Sequence, residues 1–413
     1  MESLCCTGVW WLPNHPRNAI HGQLEFHPFQ GAQLKTFGSF GALAGQTATQ
    51  QDIVLGMSGN GRLITLVHVS GVPTPTTPQE TSQQIQPWAT AMWSLRAQLI
   101  VMGKHLIHVE QLQFDRVRVF YSHLDRWANM DGFRIVQKHN QNKECQSCTV
   151  SYKLPKPICC KLNDYHVSFG FCLQTSSSLN HVHLQQNMFV QLQHDQAAAW
   201  QQIQDKLLQL QNLLSFGANM PIQPQSIQAF MPHCDQTVQL LYRLRGFPTV
   251  NQVQIDAAPL FTLKDIAKQL DVHLKQWFAK ATVLQPVHML YFSLVFGPTL
   301  YAQNKFLHLV QALETYHSRT HKGQASLRKR LSEVLHHLKD VFVLKSGQEE
   351  SFITQVVRTR NYLTHYSKNH EKKRPDWQQL HQLTQQLRDM VRAVLLLEAG
   401  FSKLAVKNML TRT

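Results

Sequence analysis

The sequence lacks long apolar stretches: no run of eighteen consecutive apolar residues occurs in its 413 positions. A transmembrane helix needs about 20 mostly apolar residues, so we expect no membrane span. The N-terminus also lacks a basic region ahead of an apolar core, and Pro13 and Pro16 follow closely, so no secretory signal peptide is predicted. With 43% hydrophobic residues, the composition is that of a globular protein with a sizeable core.

Cysteine is scarce, with eight residues, and two pairs, Cys5–Cys6 and Cys159–Cys160, are adjacent in sequence. This spacing suits a disulfide framework poorly and favours a reduced, cytoplasmic location. Cys145 and Cys148, followed by Cys159–Cys160, are the best metal candidate, but zinc sites favour two well-separated ligand pairs. Adjacent strand residues also point to opposite faces. We therefore predict no metal or other cofactor. For these four cysteines the sequence leaves two alternatives, a zinc site or metal-free thiols.

Acidic residues are few, 25 against 40 Lys and Arg, which gives a formal charge of +15. The imbalance lies in the C-terminal part, where residues 260–413 hold 23 Lys and Arg against 11 Asp and Glu. A basic region of this kind suits a polyanionic substrate such as nucleic acid. The alternative is a solvated basic face on helices.

The first part of the chain, residues 1–258, has the pattern of a β-rich domain. The stretches 52–55 and 63–69 are two apolar strands, and Asn60-Gly61 between them is typical of a hairpin turn. A helix is predicted from about His194 to Phe216, where alanines lead into a leucine repeat. We place the domain boundary at Ala257-Ala258-Pro259.

Residues 259–413 are predicted to be almost wholly helical. Thr262 with Asp265 resembles a capping box, and apolar residues recur at helical spacing over 266–278 and again over 287–295, which suggests two helices. Asp376 is predicted to cap a later helix. The fold class is therefore α+β: a β-rich N-terminal domain followed by an all-α, up-and-down helical bundle.

One helical stretch carries the candidate chemistry, Arg360-Asn361-Tyr362-Leu363-Thr364-His365. Asn361 and His365 are four residues apart and share a helix face, whereas Arg360 and His365 diverge by about 140°. A histidine can move protons near neutral pH, and an arginine can bind phosphate oxygens through its planar fork. These residue types suit cleavage of a phosphodiester without a metal, in a site at a helix–helix or dimer interface.

The bare Arg-x4-His spacing is weak evidence by itself. It also occurs at Arg118–His123 and Arg134–His139, in stretches that are predicted to be strands. Only Arg360 is followed directly by asparagine within a long helical segment. The alternative for this stretch is a solvated polar helix face.

Several motifs resemble one protein family. Arg360-Asn361-x3-His365 resembles the signature of HEPN ribonucleases. The segments 8–13, 22–24 and 34–40 resemble the N-terminal domain of bacterial ApeA-type HEPN proteins, and 305–307 with 311–317 resembles the start of their HEPN domain. The resemblance implies an anti-phage role by abortive infection, in which RNA cleavage halts the infected cell.

The resemblance also implies a mechanism and partners. His365 would act as general acid/base, Arg360 would bind the scissile phosphate and Asn361 would position it. The ribose 2′-OH would attack, leaving a 2′,3′-cyclic phosphate and a 5′-OH. The partners implied are RNA, a second copy bound through the HEPN domain and a phage component as trigger. The competing hypothesis is a non-catalytic HEPN module that dimerises and binds RNA or a protein.

Other charged residues of the C-terminal part are candidates for auxiliary roles beside the motif. Glu314 lies among mostly apolar neighbours and would orient His365 or Arg360, or else satisfy a single basic side chain. A basic run just after the motif would guide RNA phosphates, or else form a solvated turn. The predicted RNA-binding residues in it are Lys368, Lys372, Lys373 and Arg374.

Overall fold

The computed structural model describes residues 1–38, 40, 49–74, 92–232, 236–246, 258–297, 300–342, 344, 347–366 and 375–412. These form two compact units. One contains the described residues of 1–125, 131–206 and 223–245, and is mostly strand. The other contains those of 126–130, 207–222 and 246–413, and is mostly helix.

Fourteen strands are found in the part of the chain that the structure describes. They are β1 (Leu4–Trp11), β2 (Ile20–His27), β3 (Gly31–Phe37), β4 (Thr49–Ser58), β5 (Leu63–Thr74), β6 (Met92–Met102), β7 (Gln113–Tyr121), β8 (Phe133–His139), β9 (Cys145–Tyr152), β10 (Ile158–Lys161), β11 (Tyr165–Ser177), β12 (Val182–Ala199), β13 (Pro224–Phe230) and β14 (Thr237–Tyr242). The α-helices of the same residues are α1 (Leu124–Ala128), α2 (Trp200–Ala218), α3 (Leu263–Ile266), α4 (Leu270–Phe296), α5 (Ala302–Thr320), α6 (Leu327–His337), α7 (Glu349–His365), α8 (Trp377–Glu398) and α9 (Lys403–Thr411).

Six antiparallel strands of the first unit form a closed ring, in the order β1-β2-β3-β6-β5-β4 and back to β1. The predicted hairpin is confirmed as β4 and β5, which pair from Thr49 opposite Gly71 to Met57 opposite Leu63. Alternate residues of β2, such as Leu24 and Phe26, are buried, as the two-residue period of a strand requires. Closing the ring leaves these strands without an open edge.

Trp10 lies at the centre of the ring core and is fully buried. Its indole Nε1 donates a hydrogen bond to the carbonyl oxygen of Gly22 at 3.2 Å. Gly56 lies against the ring of Trp10 so closely that a Cβ there would be 2.2 Å from the nearest ring carbon. Only glycine therefore allows β4 to pass the indole at this point.

The remaining strands of the large sheet extend from β6 in the order β14-β13-β7-β12-β11-β10. The predicted helix start at His194 is wrong, because β12 continues to Ala199 and α2 begins at Trp200. A register shift between Gln193 and Ala198 lets Ala198 pair with Phe114 of β7. Pairing with a distant strand thus overrides the helical preference of the alanines.

Local signals set several helix boundaries in the second unit. The predicted capping box is present, since the Thr262 side chain accepts a hydrogen bond from the backbone N–H of Asp265. The predicted cap at Asp376 is confirmed as well, because its side chain accepts from the backbone N–H of Gln379. The prediction of two helices over 266–278 and 287–295 is wrong, since α4 continues through Pro286. Buried neighbours on both sides of the proline, Leu284 and Val287 among them, keep the helix continuous.

Helix α2 joins the helical unit through its C-terminal part. Trp277 of α4 donates from Nε1 to the carbonyl oxygen of Gln209 at 2.9 Å, and its ring stacks on Phe216 with centroids 6.0 Å apart. The predicted α+β class, a β-rich region followed by a helical region, is confirmed. The boundary at 258/259 stays a prediction, and residues 247–257 beside it lie outside the described residues. No helix of the described chain is long and apolar enough to cross a membrane.

Candidate active site

Helix α7 presents the motif on its flank. Its buried side chains recur at helical spacing and fix one face in the core; they are Phe352, Ile353, Val356, Thr359 and Leu363. Arg360 and Asn361 lie beside that face and are half-buried, whereas His365 is exposed. The helix ends where Tyr366 adopts a left-handed conformation (φ 46°) and its N–H bonds to the carbonyl oxygen of Tyr362 at 2.7 Å.

An ion pair connects α7 to α6. Arg328 pairs with Glu350 in the first turn of α7 and donates from Nη2 to the hydroxyl of Thr354 at 3.1 Å. Because both charged side chains are largely exposed, this pair stabilises the fold by about 1 kcal/mol or less.

Glu314 of α5 lies next to Arg360, and its role as an auxiliary residue stays a prediction. Glu314 Oε2 and Arg360 Nη2 are 4.0 Å apart, and Arg360 Nη1 donates to Asn361 Oδ1 at 3.3 Å. The guanidinium therefore has a carboxylate nearby as a charge partner and an amide oxygen as a hydrogen-bond acceptor. Two of the three motif residues and the predicted auxiliary acid thus form one cluster.

His365 lies apart from this cluster, in the last turn of α7. Its imidazole makes no hydrogen bond with any residue that the structure describes, and it faces solvent. Asn361 precedes it by one turn on the same face. The imidazole is thus free to exchange protons with a substrate, while the guanidinium of the same chain points toward Glu314.

Arg330 of α6 is a neighbour that sequence reasoning missed. It donates from Nη1 to the backbone carbonyl oxygen of Glu314 at 3.1 Å and from Nε to that of Ala325 at 2.9 Å. It is half-buried, so a second guanidinium supports the turn that carries Glu314. The signal available in the sequence was the basic run Arg328-Lys329-Arg330.

His317 of α5, three residues after Glu314, is already engaged. His317 is 2% exposed, its Nε2 bonds to Glu333 and its ring stacks on His321 with centroids 4.3 Å apart. The hydrogen bond from His317 lowers the pKa of Glu333. His317 is therefore a structural link between α5 and α6, which leaves His365 as the accessible imidazole of the motif.

The remaining predicted residues fall into two groups. The RNA-binding residues Lys368, Lys372, Lys373 and Arg374 lie outside the described residues. The competing Arg-x4-His pairs begin on strands, as predicted, with Arg118 on β7 and Arg134 on β8. The Arg118 guanidinium packs over the ring of Phe189, 4.1 Å from the ring centroid, and burial lowers the pKa of Arg118. Arg118 therefore has a structural role in the sheet.

The cysteines of the metal candidate are spread over two sheets. Cys145 and Cys148 lie on β9, which pairs only with β8, and Cys159 and Cys160 lie on β10 at the end of the large sheet. Cys159 is exposed and Cys160 is buried, as adjacent strand residues alternate. Among the described residues, no group of three or more His, Cys, Asp or Glu could hold a metal ion.

Two family models match the chain. The ApeA N-terminal domain 1 model matches residues 5–277, and the Apea-like HEPN model matches residues 307–404. The chain belongs to the ApeA-type HEPN family. The predicted resemblance is thereby confirmed, and Glu314, Arg360, Asn361 and His365 all lie inside the matched HEPN domain. No curated protein and no solved structure matches the chain.

Membership of this family sets the general function. HEPN domains are usually ribonucleases, and an ApeA-type HEPN protein has a nuclease-type role in anti-phage defence in general terms. The N-terminal match extends to residue 277, beyond the predicted boundary and into α4.

Proposed function

We propose that this protein is a metal-independent endoribonuclease whose active site contains Arg360, Asn361 and His365. The observation that carries the proposal is their arrangement in the HEPN domain. Arg360 is held between Glu314 and Asn361, and an accessible imidazole lies one turn farther along the same helix. A fixed cation and a mobile proton carrier are the two groups that metal-free phosphodiester cleavage needs.

In the proposed reaction, an imidazole removes the proton of a ribose 2′-OH, and the 2′ oxygen attacks the adjacent phosphorus. The bond from phosphorus to the 5′ oxygen breaks, and that oxygen receives a proton from an imidazolium. The products are a 2′,3′-cyclic phosphate and a 5′-OH. Arg360 stabilises the charge that develops on the non-bridging oxygens, because its planar fork matches phosphate geometry.

A second copy of the chain supplies the missing half of this arrangement. Arg360 and His365 diverge by about 140° on α7, so one phosphate is not easily reached by both from the same helix. In a dimer joined through the HEPN domains, His365 of one chain faces Arg360 of the other, or two His365 residues serve as acid and base. We propose this dimer as the active form.

We place this activity in the cytoplasm, where cleavage of cellular RNA would halt an infected cell. The basic C-terminal region favours a polyanionic substrate. Lys368, Lys372, Lys373 and Arg374, which follow the motif, are proposed to guide RNA phosphates to it. A phage component is the proposed trigger, sensed by the N-terminal domain.

The competing proposal is a HEPN module that dimerises and binds RNA or a protein without catalysis. One observation favours it: within a single chain, Arg360 is engaged by Glu314 and Asn361 and has no contact with His365. Purified protein incubated with RNA in EDTA separates the two proposals. A nuclease yields fragments with 2′,3′-cyclic phosphate ends, whereas a binding module shifts RNA mobility and leaves its length unchanged.

A further inference from the structure

The helical unit contains a cavity of about 350 Å³, which is the volume of a small-molecule site. It lies between the end of α2, the C-terminal half of α4, the first turns of α5 and residues 381–392 of α8. The motif Arg360–His365 on α7 is not part of this cavity. Lys305 at the cavity and Glu314 at the motif are nine residues apart on α5, or about 14 Å along its axis.

Three cationic side chains line this cavity: Lys305 of α5, and Arg388 and Arg392 one turn apart on α8. Arg392 is 4% exposed and well anchored. It donates from Nε to the hydroxyl of Tyr291 at 3.2 Å, bonds to Asn219 and lies 3.6 Å from Asp389. Its position is therefore fixed from three sides.

Arg388 and Lys305 are less compensated than Arg392: the carboxylate of Asp389 acts on Arg388 without forming a close ion pair with it. Arg388 bonds to the neutral amide of Gln385, and its buried Nε has no hydrogen-bond partner among the described residues. Neither side chain forms an ion pair within the described chain. Burial and, after it, the charge of Arg392 lower the pKa of Arg388. The cavity thus has a surplus of positive charge and an unused buried donor, which an anion would satisfy.

The N-terminus of α5 adds to this positive field. Ala302, the first residue of that 19-residue helix, lines the cavity, and the side chain of the N-cap residue Tyr301 makes no capping hydrogen bond. Free N–H groups at a helix start bind phosphate readily. Apolar side chains also line the cavity, among them Met220, Leu294 and Leu309, and they suit an organic body.

We propose that this cavity binds a small phosphorylated molecule of mononucleotide size. The phosphate would lie between Arg388, Lys305 and the first turn of α5, and the organic part against the apolar wall. Arg388 would donate from its guanidinium and Lys305 from its ammonium. This site is separate from the proposed nuclease centre and does not depend on it.

The test is calorimetric titration of the full chain with inorganic phosphate, AMP and adenosine. AMP should bind, inorganic phosphate should bind more weakly because it lacks the organic part, and adenosine should not bind measurably. Arg388→Gln and Lys305→Gln should each weaken AMP roughly ten- to hundred-fold, the loss expected for one charged hydrogen bond. Lys407→Gln removes the same charge from an exposed site and should change nothing.

The Arg360→Ala protein should bind AMP as the unaltered chain does, which separates this site from the nuclease centre. Absence of AMP and phosphate binding at millimolar concentration would overturn the proposal. So would adenosine binding as well as AMP, or AMP affinity unchanged in the Lys305→Gln protein. If Arg388→Gln fails to fold, as judged by circular dichroism, the Lys305→Gln and Lys407→Gln pair decides the question alone.

Discussion

Replacing Arg360 by lysine tests the proposed role of the guanidinium while preserving its charge. In the structure, Arg360 interacts with Glu314 at 4.0 Å and with Asn361 at 3.3 Å at the same time. A planar fork allows both contacts and still leaves N–H groups for a phosphate, whereas an ammonium is a single point charge. We therefore expect Arg360→Lys to remain folded and to lose most RNA cleavage.

The expected energies separate the effect of Arg360→Lys on stability from its effect on the rate of cleavage. Attraction between Arg360 and Glu314 is screened, because the side chains are 35% and 27% exposed, so the pair stabilises the fold by about 1 kcal/mol or less. A lysine at position 360 would retain much of this stabilisation, because it keeps the positive charge. Loss of one charged hydrogen bond to the transition state costs about 1.5–3 kcal/mol, which is roughly a 10- to 150-fold lower rate.

The assay is the initial rate of RNA cleavage in EDTA, with urea unfolding as the check on stability. Arg358→Lys is the matched control, since Arg358 lies on the same helix but is exposed and outside the motif. The control should cleave at the unaltered rate. A rate for Arg360→Lys within about twofold of the unaltered protein would refute the reasoning, because Arg360 would then contribute charge alone.

Three further predictions follow from the site and the two cores. The Arg360→Ala and His365→Ala proteins should each be inactive, and a mixture in which their subunits exchange should regain activity. Light scattering should report twice the 47.5 kDa chain mass. A monomer that cleaves RNA at the full rate would contradict the shared site. Gly56→Ala should destabilise the fold by about 1–3 kcal/mol in urea unfolding, since its Cβ would meet Trp10 at 2.2 Å, whereas Gly59→Ala should cost far less because its nearest atom is 3.9 Å away. Burial lowers the pKa of His288 to about 4, against about 6.5 when unfolded, so the unfolded state binds more protons between these values. The free energy of unfolding should therefore fall by up to about 3 kcal/mol as pH drops through that range, and His288→Gln should flatten the slope.

Features that depend on neighbouring residues could be predicted from the sequence. The helix caps at Thr262 and Asp376 involve residues three positions apart, and the hairpin at Asn60-Gly61 is equally local. The burial of one face of α7 follows from its apolar spacing in the same way. These elements are fixed by short-range chemistry, so the pattern of residue types suffices.

Features that depend on distant residues could not be predicted. The alanines of β12 favour a helix locally, yet they pair with β7 more than eighty positions earlier. Helix α4 continues through Pro286 because packing on both sides compensates for the lost hydrogen bond. Arg330 beside Glu314 and the cationic cavity at Arg388 likewise arise only when separate helices come together.

The central claim is that His365 moves the proton in RNA cleavage. Its most direct test is cleavage by purified His365→Ala protein in EDTA, beside His336→Ala, which removes an exposed histidine from α6. We expect His336→Ala to cleave RNA to 2′,3′-cyclic phosphate ends at the unaltered rate, and His365→Ala to be folded and inactive. Undiminished cleavage by His365→Ala would contradict it.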